Sequence, residues 1–187
     1  MRLARSCLEA SAGLLLLLAF SGLNPGHGAL TVINFSANLV PGSCEFELDI
    51  PKLLLDPVLP AELKATTLIG AKKVELQISN CNVSTSLKPF ISVNGKGQNL
   101  GKWAFRDDAT STAKNVGVML VKSDTPPDYG HTPLTDGGKV TLQTAGDIVP
   151  NQTLNFYAGL ICGTSTNCGT ATLGAVNATI EFTLNHP

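Results

Sequence analysis

Gly174-Ala-Val-Asn-Ala-Thr-Ile-Glu-Phe-Thr-Leu-Asn-His-Pro187 closes the chain, and its reading decides the fold. Val176, Ala178, Ile180, Phe182 and Leu184 occupy one side of a two-residue repeat, and Asn177, Thr179, Glu181, Thr183 and Asn185 occupy the other. Successive side chains of a strand point to opposite faces, so this alternation specifies a half-buried β-strand. On a helix the same five apolar residues would step by about 200° and form no stripe. The chain therefore ends in a strand that no later loop ties down. The partner for its outer edge must come from elsewhere in the chain or from another molecule.

At the other end, residues 1–28 have the pattern of a secretory signal. Arg2 and Arg5 make a positive start, Ala10 to Phe20 is apolar with five consecutive leucines, and Gly26-His27-Gly28 supplies small residues for cleavage. The apolar run is short for a membrane anchor and is followed at once by Asn24-Pro25-Gly26. Cleavage there removes Cys7 and leaves four cysteines, Cys44, Cys81, Cys162 and Cys168. An even count in an exported chain implies disulfides, and four cysteines allow three pairings, of which nearest-neighbour pairing is the simplest. Their spacing does not suit a metal site, and His131 and His186 lie far apart.

The mature chain of about 159 residues suffices for one well-cored domain. Without Arg2, Arg5 and Glu9 it carries 11 basic and 13 acidic residues, a net charge near −2. Charge is sparse, with no basic stripe for nucleic acid and no polybasic patch for a membrane surface. Abundant Gly, Thr, Val and Asn with little helical periodicity indicate an all-β domain.

Strand signals recur along it. Thr31 to Val40 is one, ended by Pro41-Gly42, and Cys44 to Ile50 alternates. Residues 51–70 contain three prolines and are read as unsuited to a strand, with a helical turn over Ala61 to Ala65. Lys73 to Ser79, Pro89 to Asn94, Val116 to Val121, Lys139 to Gln143 and Thr153 to Ile161 supply further strands, and Ser123 to Gly138 reads as a long exposed loop. Short strands divided by turn signals suggest a β-sandwich. In the first of them Ile33, Phe35, Ala37 and Leu39 face one way, and nothing covalent anchors them ahead of Cys44. The segment is either an ordinary first strand or an arm that pairs with a neighbour's open edge.

The whole mature chain resembles the pilin subunits of chaperone–usher (type 1-like) fimbriae. The resemblance rests on the signal peptide, the Ile33-x-Phe35-x-Ala37-x-Leu39 arm shortly before Cys44, and the amphipathic Val74 to Ser79 run closing on Cys81. It rests further on the buried Val116-Gly117-Val118-Met119-Leu120 and on Gly174, fourteenth from the end, ahead of an alternating last strand. Two departures stand out: His186-Pro187 where the family has a penultimate tyrosine, and Ala37 where the arm usually carries glycine. The Cys162–Cys168 pair also lies outside the common pattern and reads as a staple before the last strand.

The resemblance implies an incomplete immunoglobulin-like β-sandwich lacking its last strand, completed by a donor strand from a chaperone or a neighbouring subunit. The organisation it implies is a signal (1–28), an N-terminal donor-strand extension (29–40) and a pilin domain (41–187). Ile33, Phe35, Ala37 and Leu39 are then the donor strand, and Gly174, Val176, Ala178, Ile180, Phe182, Leu184 and His186 the strand that lines the groove. The implied partners are a periplasmic chaperone, an outer-membrane usher, neighbouring pilin subunits and, through the assembled fibre, a host receptor or surface. The implied destination is the cell-surface fimbrium, reached through the periplasm. Closure of the last strand's edge by the chain's own backbone counts against the incomplete fold.

Other classes fare poorly. Neither Gly-x-Ser-x-Gly nor His-Glu-x-x-His occurs, and Gly95-Lys96-Gly97-Gln98-Asn99-Leu100-Gly101 misplaces its third glycine for a dinucleotide loop. Asp107-Asp108 and His131 fit solvated loops, so no catalytic residue, metal or cofactor is expected. A minor tip or adaptor subunit with a receptor-binding role is the alternative, with Trp103, Phe105, Tyr129 and the 123–138 loop as its contact residues. A separate N-terminal binding domain has no room in the roughly fifteen residues between signal and Cys44.

Overall fold

The computed structural model describes residues 29–38, 44–82 and 88–185. The expected signal, together with Leu39 and His186, lies outside the described residues. Among the described residues eleven strands form two sheets, an immunoglobulin-like sandwich. The five-stranded sheet has the order β3 (Lys52–Val58), β1 (Ala29–Asn38), β11 (Val176–Asn185), β5 (Phe90–Asn94), β9 (Gly138–Thr141). The six-stranded sheet has the order β2 (Glu45–Leu48), β4 (Ile69–Ser79), β10 (Gln152–Ile161), β8 (Gly117–Lys122), β7 (Trp103–Phe105), β6 (Gly97–Asn99).

Apolar residues at alternate positions fill the space between the sheets. Ile33 and Phe35 of β1 and Ile180, Phe182 and Leu184 of β11 meet Leu76 and Phe156 of the opposite sheet in one cluster. β8 is buried on both faces because Val118 and Leu120 enter this core while Met119 and Val121 belong to a second cluster. That cluster, with Leu100, Ala104 and Ile161, is covered by Leu68 and by Tyr129 of the 123–138 loop. The loop is accordingly not wholly exposed, since Tyr129, Pro133 and Leu134 are half-buried.

The prolines of residues 51–70 do not exclude a strand. β3 runs through Pro57, with Leu53, Leu55 and Val58 buried. It is an edge strand, and its register with β1 shifts between Ala29 and Thr31, opposite Val58 and Leu55. A proline at an edge and a bulge costs little in lost ladder bonds. The expected helical turn is a 3-10 turn at Pro60–Glu62.

The cysteines pair as nearest neighbours. Cys44–Cys81 ties the start of β2 to the end of β4, which already pair through Glu45 and Ser79. Cys162–Cys168 joins the end of β10 to the short helix α1 (Ser165–Gly169). Beside it Gly163 has φ +80, and a Cβ there would lie 1.7 Å from the Leu100 carbonyl oxygen, so only glycine permits this approach.

No missing strand is seen among the described residues. The chain's own β1 lies between β3 and β11 and covers the outer edge of the C-terminal strand. It runs parallel to β11, from Thr31 opposite Val176 to Asn38 opposite Thr183. Every other ladder among the described residues is antiparallel. The fold is thus closed, by a strand that precedes the first disulfide and whose polarity departs from the rest of the sandwich. Unpaired edge groups and open apolar pockets are costly, and a tethered segment of the right periodicity relieves them.

Candidate functional site: the seam between the first and last strands

β11 is positioned from one side by β5 and by residues 107–113. Its second half, Glu181 to Asn185, pairs with Asn94 to Phe90. Its first half is held by backbone bonds from the Asp107, Thr112 and Ala113 amides to the Asn177 and Ala175 carbonyls, and by side chains. Ser111 Oγ accepts from the Asn177 amide at 2.9 Å, Thr112 Oγ1 accepts from the Ala175 amide at 2.9 Å, and Thr179 Oγ1 donates to Asp107 Oδ2 at 2.7 Å. Gly174 starts the strand at φ +155, and a Cβ there would lie 2.5 Å from both Ala113 N and Thr112 Oγ1. A side chain at 174 would push the strand off this loop.

The loop is itself anchored by Arg106, which is only 6% exposed. Its Nε donates to Asp108 Oδ1 at 2.6 Å, Nη1 to the Val116 carbonyl at 3.0 Å and Nη2 to the Ser111 carbonyl at 3.4 Å. A buried guanidinium is tolerated when its N–H groups find acceptors, as here. Asp107 and Asp108 therefore bond to different partners and form no carboxylate pair.

On its other side β11 meets β1. Ile33, opposite Ala178, is fully buried, and Phe35, opposite Ile180, nearly so. The Phe35 ring stacks on Phe182 at 5.9 Å between centroids, and Phe182 meets Phe156 at 4.8 Å. Ala37, opposite Phe182, is half-buried. Val176, Ala178, Ile180, Phe182 and Leu184 are all buried, so the residues expected to line a groove are equally part of the core. Thr31 extends the inward series and is fully buried, yet its hydroxyl has no hydrogen-bond partner among the described residues. The two-residue repeat of Ile33, Phe35 and Ala37, taken back by two residues, reaches Thr31. Residues 107–113, which hold the far side of β11, carry no periodic signal, and only the fold brings them there.

The aromatic residues of the tip-subunit alternative form no shared exposed patch among the described residues. Phe105 is fully buried, Trp103 packs edge-on against it at 6.1 Å, and Tyr129 lies beneath Lys102 Nζ at 5.2 Å. A surface cleft of about 580 Å³ lies over the outer face of β11 and contains Asp107, Lys96 and Glu181 but no aromatic side chain. His131 bonds Asp128 at 2.8 Å in the 123–138 loop, and this hydrogen bond holds the Asp128 carboxyl below its ordinary range.

The fold and this seam define a two-sheet sandwich whose C-terminal strand is completed by a segment from ahead of the first disulfide. The family model for "Fimbrial protein" matches residues 33–186, and the chain belongs to that family. A search of curated proteins found no match. Among solved structures the chain is similar to the crystal structure of a Burkholderia pseudomallei antigen and type I fimbria protein. The identity is 20%, covering 82% of this chain and 94% of that one, with a TM-score of 0.49. Membership makes this a subunit of a cell-surface appendage, in a structural and non-enzymatic family whose members interact with other pilin subunits.

Proposed function

We propose that the chain is a structural subunit of a surface fimbria that polymerises by donor-strand exchange and thereby supports cell adhesion. The arm spanning β1 leaves its own sandwich and fills the corresponding gap between β3 and β11 of a neighbour. The observation that carries this reading is β1 itself, a core-filling strand in a parallel ladder with β11, which precedes the first disulfide and is held in the sandwich by no covalent cross-link of its own.

The energetics support exchange between equivalent partners. Burying Ile33 and Phe35 is worth roughly 3–6 kcal/mol gross, and each ladder hydrogen bond adds roughly 1 kcal/mol net. These contacts form whether arm and groove belong to one copy or two. Within one copy the arm has an effective concentration on the order of millimolar, as for any short tether, so dilute subunits stay closed. Between copies, one arm and one groove make a heterologous contact that does not close, and the product is a filament. A periplasmic chaperone that lends a strand until an outer-membrane usher hands over the next arm would keep the self-closed state from forming. The donor strand is then Ile33, Phe35, Ala37 and Leu39, and the signal of residues 1–28 directs export.

A covalent lock tests this. Ser36 and Glu181 are register partners on the outward face of β1 and β11. In the double variant Ser36→Cys/Glu181→Cys, an inter-strand disulfide holds the arm at home. Oxidised monomer should form no filaments by electron microscopy, while the single variant Ser36→Cys, with its added thiol blocked, should polymerise like the unsubstituted chain. Filaments from the locked monomer at the unlocked rate would overturn the proposal, as would an unsubstituted chain that stays monomeric even with usher and chaperone present.

A further inference from the structure

We infer that the outer face of the five-stranded sheet docks on the same face of a second copy, so that a basic cleft of each covers an acidic cleft of the other. The face consists of outward side chains of β11, β5 and β9 and does not involve the arm. The contact is therefore separate from strand exchange, and where that reading holds it joins two filaments side by side. The acidic cleft is the one of about 580 Å³ over β11, at the end of β5, lined by Asp107, Asp108 and Glu181 with Lys96 as its one cation. The basic cleft, of about 370 Å³, lies at the start of β5 between Lys88 and Lys139 and is lined also by Phe90 and Thr141.

Within one copy the two clefts keep their charge. Asp108 is 83% exposed and pairs with the buried Arg106, while the bond Asp107 accepts from the Thr179 hydroxyl leaves its carboxylate charge in place. Lys88 and Lys139 are exposed, and neither joins an ion pair among the described residues. Lys139 Nζ instead lies 4.4 Å from the centre of the Phe90 ring. Asn94 faces Glu181 in the ladder and Phe90 faces Asn185, so about 13 Å of strand separates the clefts. That exceeds the Debye length of about 8 Å at physiological salt, and neither cleft neutralises the other. Between them lie Thr183 and Ser92, small and uncharged, with Ser92 Oγ accepting from Asn185 Nδ2 at 2.7 Å. The centre of the face thus presents short, fixed side chains that a facing surface can approach.

The charge pattern supplies the occupant. A face with one acidic end and one basic end is its own complement. Half a turn about an axis in the plane of the face, across the strands near Ser92 and Thr183, lays Lys88 and Lys139 of each copy over Asp107, Asp108 and Glu181 of the other. The other two-fold packing, with the axis along the strands, sets acid on acid and lysine on lysine, so charge selects the antiparallel arrangement. A partner of uniform charge would satisfy one cleft and be repelled by the other. The contact is isologous and stops at two copies, so it does not relate successive subunits of one filament, which repeat head to tail. It relates subunits of two filaments running in opposite directions.

The test uses the mature chain and two charge-reversed variants, Lys88→Glu/Lys139→Glu and Asp108→Lys/Glu181→Lys, in sedimentation velocity. The unsubstituted chain should form a dimer that weakens roughly tenfold or more as salt rises from about 0.02 M to about 0.5 M. Each reversed variant alone should associate roughly tenfold or more weakly, because it sets like charges face to face. An equimolar mixture of the two should recover dimer to within roughly threefold of the unsubstituted chain, since every facing pair is again opposite in sign. An unsubstituted chain that stays monomeric at low salt, its clefts left to partners of another sequence, overturns the inference. So do reversed variants that dimerise unchanged or that fail to pair when mixed. If Asp108→Lys/Glu181→Lys does not fold, the salt dependence and Lys88→Glu/Lys139→Glu decide. Filaments assembled with chaperone and usher should lie side by side in electron micrographs for the unsubstituted chain and separate for each variant. Single filaments throughout overturn the inference and leave strand exchange standing. A salt-sensitive dimer without filaments from any chain overturns strand exchange and leaves the face-to-face contact standing.

Discussion

Gly174 and Arg106 act on the same few residues of β11 from different distances. Gly174 has a backbone conformation and a clearance that exclude a Cβ, so Gly174→Ala should shift the strand's start away from Thr112 and Ala113. The expected cost is about 2 kcal/mol or more, read from the urea unfolding midpoint. An unchanged midpoint would mean that the loop yields freely. Arg106 works one step further back, since it holds the carbonyls of Ser111 and Val116. Arg106→Ala should cost on the order of 3 kcal/mol, because hydrogen bonds to a charged donor are lost and buried carbonyls are left unpaired. The companion Asp108→Asn should cost well under 1 kcal/mol, as the Asp108 carboxylate is 83% exposed. Similar losses for the two variants would contradict this account. Neither role is legible from sequence, where Arg106 is one cation in a polar stretch and Gly174 is recognised only by its place ahead of an alternating run.

Among the elements, the strands that alternate cleanly were legible and the irregular ones were not. β11, β4 and β10 follow from a local rule, the opposition of successive side chains. β3 was missed because three prolines outweighed Leu53, Leu55 and Val58; its edge position, which makes Pro57 tolerable, is a property of the sheet and not of the segment. β6 and β7 are three residues each, too short for any period to register. The two disulfides act on different elements and should separate on reduction. Cys44–Cys81 closes a 37-residue span, worth roughly 4 kcal/mol by loop-closure entropy. Cys162–Cys168 spans six, worth roughly 2–3 kcal/mol. Serine replacement of Cys44 and Cys81 should therefore lower the thermal midpoint more than replacement of Cys162 and Cys168, by calorimetry on each double variant. The reverse order would show that the second staple, through α1 and the run into β11, supports the seam more than its loop length suggests.

At the scale of the molecule, periodicity by itself determined an all-β sandwich, a strand at the C-terminus, and an apolar arm ahead of the first cysteine that any such strand could accept. Those features depend on neighbours within a few residues, so one chain's sequence contains them. Tertiary structure decided what covers the last strand: the chain's own arm, parallel, with Thr31, Ile33 and Phe35 buried against the core. That outcome was beyond the sequence because an alternating apolar arm carries no local signal of which edge it pairs with, in which direction or in which copy. The edge it meets is assembled from strands far apart in the chain, and the tether sets how readily the chain's own arm reaches it.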